Sequence, residues 1–284
     1  MQCIDSLMDV ADQCDAIVFD QWGVLHNGSQ PYAGAIEAIE ALAKAGKKLA
    51  VLSNSGKRSL PNRQRIAAMG LPADVFAHLM TSGEAFWQDC ANARVPAQNF
   101  FPITAKPGDA ERWGEGLPLA WASTVDNADA VLLMGLPEGG DSQQERALLD
   151  EARSKGLPLY CTNPDRGSPR ADGAVQLSPG ALAHAYQDDG GDVTFYGKPH
   201  RPVFAALIEA LGTAPSSTLM VGDSLEHDIA GGANAGWKTA FVMGGLHAAA
   251  FDKDDPLGVT ARLAQDHASP LPDFLIGNLA GEKG

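Results

Sequence analysis

Four polar clusters in this chain have the residue types needed to move a phosphoryl group, and each follows a short apolar run. Asp20 closes AIVF and opens QWGVLHNG; Ser53-Asn54-Ser55-Gly56 follows KLAVL; Lys198 stands in FYGKPH; Asp223 and Asp228 stand in GDSLEHD after STLMV. Taken singly, each has an ordinary role. An Asp after a strand caps a helix or turns the chain, SNSG is turn chemistry, and a lone Lys is a solvated cation. Together they supply a carboxylate nucleophile, hydroxyl and amide donors, a fixed cation and a second carboxylate. All fall at expected strand C-termini, where open α/β sheets bind ligands. That set suits phosphoryl transfer assisted by a divalent cation.

The elements that must position these groups alternate between strand and helix, which predicts α/β architecture with parallel strands. DAIVF (15–19) reads as a strand buried on both faces. The following AGAIEAIEALAKAG has helical spacing through Ile36, Ile39 and Leu42, with Gly46 as its stop. KLAVLSNSG is the next strand, and a helix is expected over about 60–69. Residues 83–178 read as an inserted α/β unit, with strands in FFPI, DAVLLMG and LPLYC and a helix in SQQERALLDEARSKG. TSGE (81–84) and LSPG (177–180) are its expected linkers. The core is thus expected over 1–82 and 179–284, with VTFYG as its first resumed strand. Trp87, Trp113 and Trp121 are expected to pack within the insert.

Composition narrows the function. The chain has 284 residues, of which 45% are hydrophobic and 20% charged, enough to build sizeable cores. Twenty-one basic against 35 acidic residues give a net charge of −14, which opposes binding to nucleic acid or anionic membranes. An anionic substrate would therefore need positive charge supplied locally. No apolar run approaches the ~18 residues of a membrane span. The first twenty residues carry five aspartates and no basic residue, so no signal or transit peptide is expected there. The four cysteines are scattered without a CxxC pair, which fits a reducing cytoplasm. The phosphate-binding patterns GxGxxG after a strand and GxxxxGK[ST] are both missing. An acidic stretch, FDKDDP, occupies 251–256.

The order D-x-x-G-V, S-N, G-K-P, G-D-x-x-x-x-D resembles the haloacid dehalogenase (HAD) superfamily of hydrolases. The insert between the second and third motifs, carrying TNPD (Thr162–Asp165), resembles its class IIA branch, which includes NagD-like and pyridoxal phosphate phosphatases. The resemblance implies a Rossmann-like core with a parallel sheet and a mobile α/β cap, and a phosphatase using Mg²⁺. It makes Asp20 the nucleophile that forms an aspartyl-phosphate. Mg²⁺ would be held by Asp20, the backbone carbonyl of Trp22, and Asp223, with Asp228 as a further or water-mediated ligand. Ser53, the backbone N–H of Asn54 and Lys198 would hold the phosphate. The TNPD loop (Thr162, Asn163, Asp165) would lie over the substrate. The substrate is expected to be a small phosphorylated metabolite such as a sugar phosphate. Class IIA caps can also form homodimer contacts.

One position departs from the pattern. The phosphatases carry Asp two residues after the nucleophile as general acid and base, and this chain reads Asp20-Gln21-Trp22. An indole N–H neither protonates an alkoxide nor activates water at neutral pH. Three readings stay open. The protein is a phosphatase with a substitute acid, His26 and His200 being candidates; or it binds a phosphorylated ligand with little turnover; or it is a metal-free dehalogenase-like hydrolase. The intact GDSLEHD counts against the last, because unneutralised carboxylates repel an anionic substrate. Lys57, Arg58, Arg166 and Arg170 are further cations that could meet a second anionic group.

Overall fold

Apolar runs without alternation become central strands, because a strand covered on both faces has no polar side. AIVF is such a run: all four residues of its strand are buried. The computed structural model describes residues 1–137, 141–169, 175–251 and 255–281. Two units divide the chain. The first comprises Met1–Ser53, Leu60–Met80 and Phe204–Gly284, and the second Asn54–Ser59 and Thr81–Val203.

Strands are numbered along the whole chain. The first unit carries β1 (Gln2–Cys3), β2 (Ala16–Phe19), β3 (Lys48–Ser53), β4 (Phe76–Thr81), β12 (Thr218–Gly222), β13 (Lys238–Val242) and β14 (Phe274–Ile276). They form a seven-stranded sheet in the order β1-β14-β13-β12-β2-β3-β4. The ladders from β1 through to β3 are parallel, with Phe19 opposite Val221 and Val51. The helix Ala35–Lys44 buries Ala35, Ile39 and Leu42. Ile36, expected on that stripe, is only partly buried against the same core.

The second unit carries β5 (Asn99–Ile103), β6 (Ala120–Trp121), β7 (Ala130–Leu133), β8 (Leu159–Cys161), β9 (Gly167–Pro169), β10 (Val175–Leu177) and β11 (Val193–Phe195). Five of these form a sheet ordered β11-β8-β7-β5-β6, and β9 and β10 pair as an antiparallel hairpin. Phe86 centres an aromatic cluster here. Trp113 stacks on it with centroids 5.2 Å apart, and Tyr160 stacks at 5.3 Å. Trp121 meets Trp113 edge-on at 6.4 Å, so two of the three tryptophans of this unit share one aromatic core, as expected.

The boundary expected at 178/179 moves to Val203/Phe204. VTFYG does not resume the first sheet: β11 runs parallel to β8, with Val193 opposite Leu159. The helix Pro179–Asp188 joins that sheet's core through Leu182, Ala183 and Tyr186. An apolar strand looks alike in either sheet, so local composition cannot say which one it joins. The two expected linkers are helix starts instead. Thr81 accepts the Glu84 N–H at 2.9 Å, and Pro179 follows Ser178 at the first turn of its helix.

The short segment Asn54–Ser59 joins the second unit through a dense clasp on Thr81–Glu84. Thr81 Oγ1 donates to the Lys57 carbonyl at 2.5 Å, and the Gly83 N–H to the Ser55 carbonyl at 3.1 Å. Arg58 pairs with Glu84 at 2.7 Å, Glu84 accepts the Ser59 N–H at 2.9 Å, and the guanidinium lies 3.8 Å over the Trp87 ring. Burial alone would raise the Glu84 carboxyl; the Arg58 and Ser59 hydrogen bonds outweigh it and hold the group below its ordinary value. Arg58 is therefore committed to this clasp. Arg170 and residues 252–254 of the acidic stretch lie outside the described residues. No helix among the described residues is long and apolar enough to cross a membrane.

Candidate active site

Asp20 and Asp223 stand just past the C-termini of adjacent strands, β2 and β12. Asp228 reaches them from a π turn, Leu225–Ile229, one turn beyond Asp223. Such turns widen a helix by one residue and recur at functional sites. One carboxylate oxygen from each of the three lies within 4.8 Å of the others. Asp20 is half-buried, while Asp223 and Asp228 are 3% and 0% exposed. Asp223 Oδ2 accepts the Leu246 N–H at 2.8 Å, and Asp228 Oδ2 accepts the Ser224 N–H at 3.1 Å.

Three converging carboxylates repel one another, and burial makes that more costly. The nearby Tyr32 phenol is pushed up by burial and then by the Asp223 charge. A hard divalent cation with oxygen ligands is the natural complement. The backbone makes room for this cluster: Gly23, at φ +86°, would place a Cβ 1.8 Å from Asp223 Oδ2. Glycine alone meets both demands, the left-handed backbone and the close approach.

Trp22 is 39% exposed, and its ring nitrogen lies over Gly28. His26 is fully buried, and its Nδ1 accepts the Gly28 N–H at 3.0 Å. Burial, then the Arg65 charge, lowers its pKa from 6.5 to about 4. A neutral, buried imidazole held in this way is a poor replacement for the missing acid. His200 stacks its ring on Phe195, with centroids 4.6 Å apart.

In the second unit, Asn54 ties three motifs together. Its Oδ1 accepts the Lys198 N–H at 2.6 Å, and its Nδ2 donates to the Lys198 carbonyl at 3.2 Å and to Asp165 Oδ1 at 2.7 Å. Ser53, Asn54 and Lys198 are all buried, Lys198 to 2% exposure. The TNPD residues are tied to their own unit by several bonds. Thr162 is completely buried, and its N–H donates to the Leu133 carbonyl. Asn163 Oδ1 accepts the Asp165 N–H at 3.1 Å, closing an Asx turn, and Asp165 serves Asn54. Asn163 and Asp165 stay partly exposed, while the turn packs closely on Gly197. A Cβ there would sit 2.2 Å from Pro164 Cδ. No spacing in the sequence announced the Asn54–Asp165 bond, which spans 111 residues.

Residues 17–111 match the family model described as haloacid dehalogenase-like hydrolase, and residues 195–276 match one described as HAD-hydrolase-like. The chain belongs to the haloacid dehalogenase superfamily of hydrolases, in its class IIA branch. Chronophin from Homo sapiens is 30% identical over 251 residues, covering 85% of each chain. Glycerol-3-phosphate phosphatase from Homo sapiens is 27% identical over 256 residues, covering 82% of this chain and 79% of that protein. A haloacid dehalogenase-like hydrolase from Brucella suis 1330 superposes with a TM-score of 0.80 at 27% identity, covering 96% and 98% of the two chains.

Proposed function

We propose that this protein is a Mg²⁺-dependent phosphatase acting on a small phosphorylated metabolite through an aspartyl-phosphate on Asp20. The observation that carries the reading is the convergence of the Asp20, Asp223 and Asp228 carboxylates. Kinship with a glycerol-3-phosphate phosphatase supports the substrate class. Asp20, the Trp22 carbonyl, Asp223 and Asp228 would hold the cation, which would supply positive charge against the phosphate oxygens. The Asp20 carboxylate attacks phosphorus, the ester P–O bond breaks, and the alcohol oxygen leaves with the bonding pair. Water oxygen then bonds to phosphorus, the Asp20 O–P bond breaks to restore the carboxylate and release inorganic phosphate, and the proton that water gives up neutralises the departed alkoxide. By the family resemblance, Ser53, the Asn54 N–H and Lys198 would bind the phosphate.

Trp22 shapes the substrate range. With no carboxyl at this position, the first step favours esters whose oxygen leaves as a stable anion, such as aryl or acyl phosphates. The same residue supports a second reading, a phosphate-ligand binder with little turnover, because an exposed indole stands where proton transfer is needed.

A panel of sugar, glycerol, aryl and acyl phosphates, assayed with and without Mg²⁺, tests the reading. Metal-dependent phosphate release is expected, falling at least ~10³-fold in Asp20→Asn. Full activity in that variant refutes the covalent route. Thermal stabilisation by phosphorylated ligands without turnover selects the binder. Metal-independent halide release from haloacids selects the dehalogenase.

A further inference from the structure

Asp165 presents a carboxylate to the side-chain amide of Asn54, and the chemistry of that pairing has a direction. A carboxylate only accepts hydrogen bonds, so it faces Nδ2 and excludes the flipped carboxamide. With Nδ2 bound at 2.7 Å, Oδ1 is left facing the Lys198 N–H, which it accepts at 2.6 Å. Nδ2 also reaches the Lys198 carbonyl at 3.2 Å, so one carboxamide brackets both backbone groups of the residue that carries the buried cation. A flipped amide would set Nδ2–H against the Lys198 N–H and Oδ1 against two acceptors.

Asp165 is itself held. Its own N–H donates to Asn163 Oδ1, and the Pro164 ring packs against Gly197, the residue before Lys198. The Asx turn, the Asn54 carboxamide and the Gly197-Lys198 backbone therefore form one continuous network within the second unit. Its members come from residues 54, 163–165 and 197–198.

From this network we infer that Asp165 is a positioning residue for phosphate binding, acting through the Asn54 carboxamide on the backbone of Lys198, and not a determinant of which organic group the substrate carries. The inference rests on the phosphate-binding role proposed for Asn54 and Lys198. Its consequence is uniformity: the bonds of this network run through the Asn54 carboxamide to the Lys198 backbone, so disturbing it should weaken every phosphate ligand by the same factor.

The test measures inorganic phosphate affinity by calorimetry in the presence of Mg²⁺, together with kcat and KM for two esters of unlike size. Asp165→Ala should raise the phosphate Kd and both KM values about tenfold to a hundredfold, the scale of one charged hydrogen bond. The ratio of kcat/KM between the two esters should stay within about twofold. Asp165→Asn can still accept from Nδ2 but no longer excludes the flip, so its Kd should rise by only about threefold. If Asn54→Ala is made first, adding Asp165→Ala should cost little more. A phosphate Kd that is the same in wild type and Asp165→Asn and Asp165→Ala overturns the inference, as does a substrate-selective loss. Phosphate binding that follows these variants in a protein without turnover would remove the phosphatase reading and leave the inference standing.

Discussion

The backbone N–H of Asp20 donates to the carbonyl of Val221 at 2.9 Å, extending the β2–β12 ladder one residue past the end of β2. That single bond sets Asp20 against the strand end from which Asp223 projects, two residues after Val221. Two motifs separated by some two hundred positions thereby supply carboxylates to one cluster.

Repulsion within that cluster makes an asymmetric prediction. Asp223→Asn should weaken Mg²⁺ binding by at least ~10-fold, the loss seen even for groups that merely support metal ligands. In metal-free buffer the same variant should melt higher than wild type, because one of three crowded charges is gone. Calorimetric titration and melting curves with and without chelator check both directions. An unchanged Mg²⁺ affinity would remove Asp223 from the ligand set.

Trp22→Asp restores a carboxyl two residues after the nucleophile. Activity on alkyl phosphates should rise ~10²–10⁴-fold, the usual contribution of a positioned acid–base group. Aryl phosphates should gain less, since their leaving oxygen needs no proton. Steady-state rates on nitrophenyl phosphate and glycerol phosphate decide this. Equal gains on both would place the bottleneck at hydrolysis of the acyl phosphate instead.

His26 links folding to pH. Its pKa is about 4 in the folded chain against an ordinary 6.5, so between these values the unfolded chain binds the additional proton. Its contribution to stability is complete above about pH 6.5 and is lost as pH falls towards 4. The depression corresponds to about 3 kcal/mol at most. Denaturant unfolding at pH 7.5 and 4.5 should show this decline, and His26→Asn should flatten it. An identical slope in the variant would assign the acid sensitivity to other groups.

The strand ends that carry the candidate residues were legible in the sequence. Apolar runs marked the strands, and polar residues at their ends marked Asp20, Ser53, Asn54, Lys198 and Asp223, because chemistry at a strand end leaves a sharp change in composition. Asp228 stood out equally in GDSLEHD, but the π turn that aims its carboxylate depends on packing and not on residue type. The sheet that β11 joins was hidden for a related reason: Val193–Phe195 fits either sheet, and only its pairing with β8 decides.

What the residues alone determined was the chemical inventory and its order along the chain, including the exchange of a carboxyl for an indole at Trp22. Those properties are local and survive unfolding. Tertiary structure decided which groups act together: that His26 is buried and neutral, that Arg58 belongs to Glu84, and that Asp165 belongs to Asn54. Each of these turns on a partner remote in sequence or on exclusion from water, and neither exists until the chain has folded.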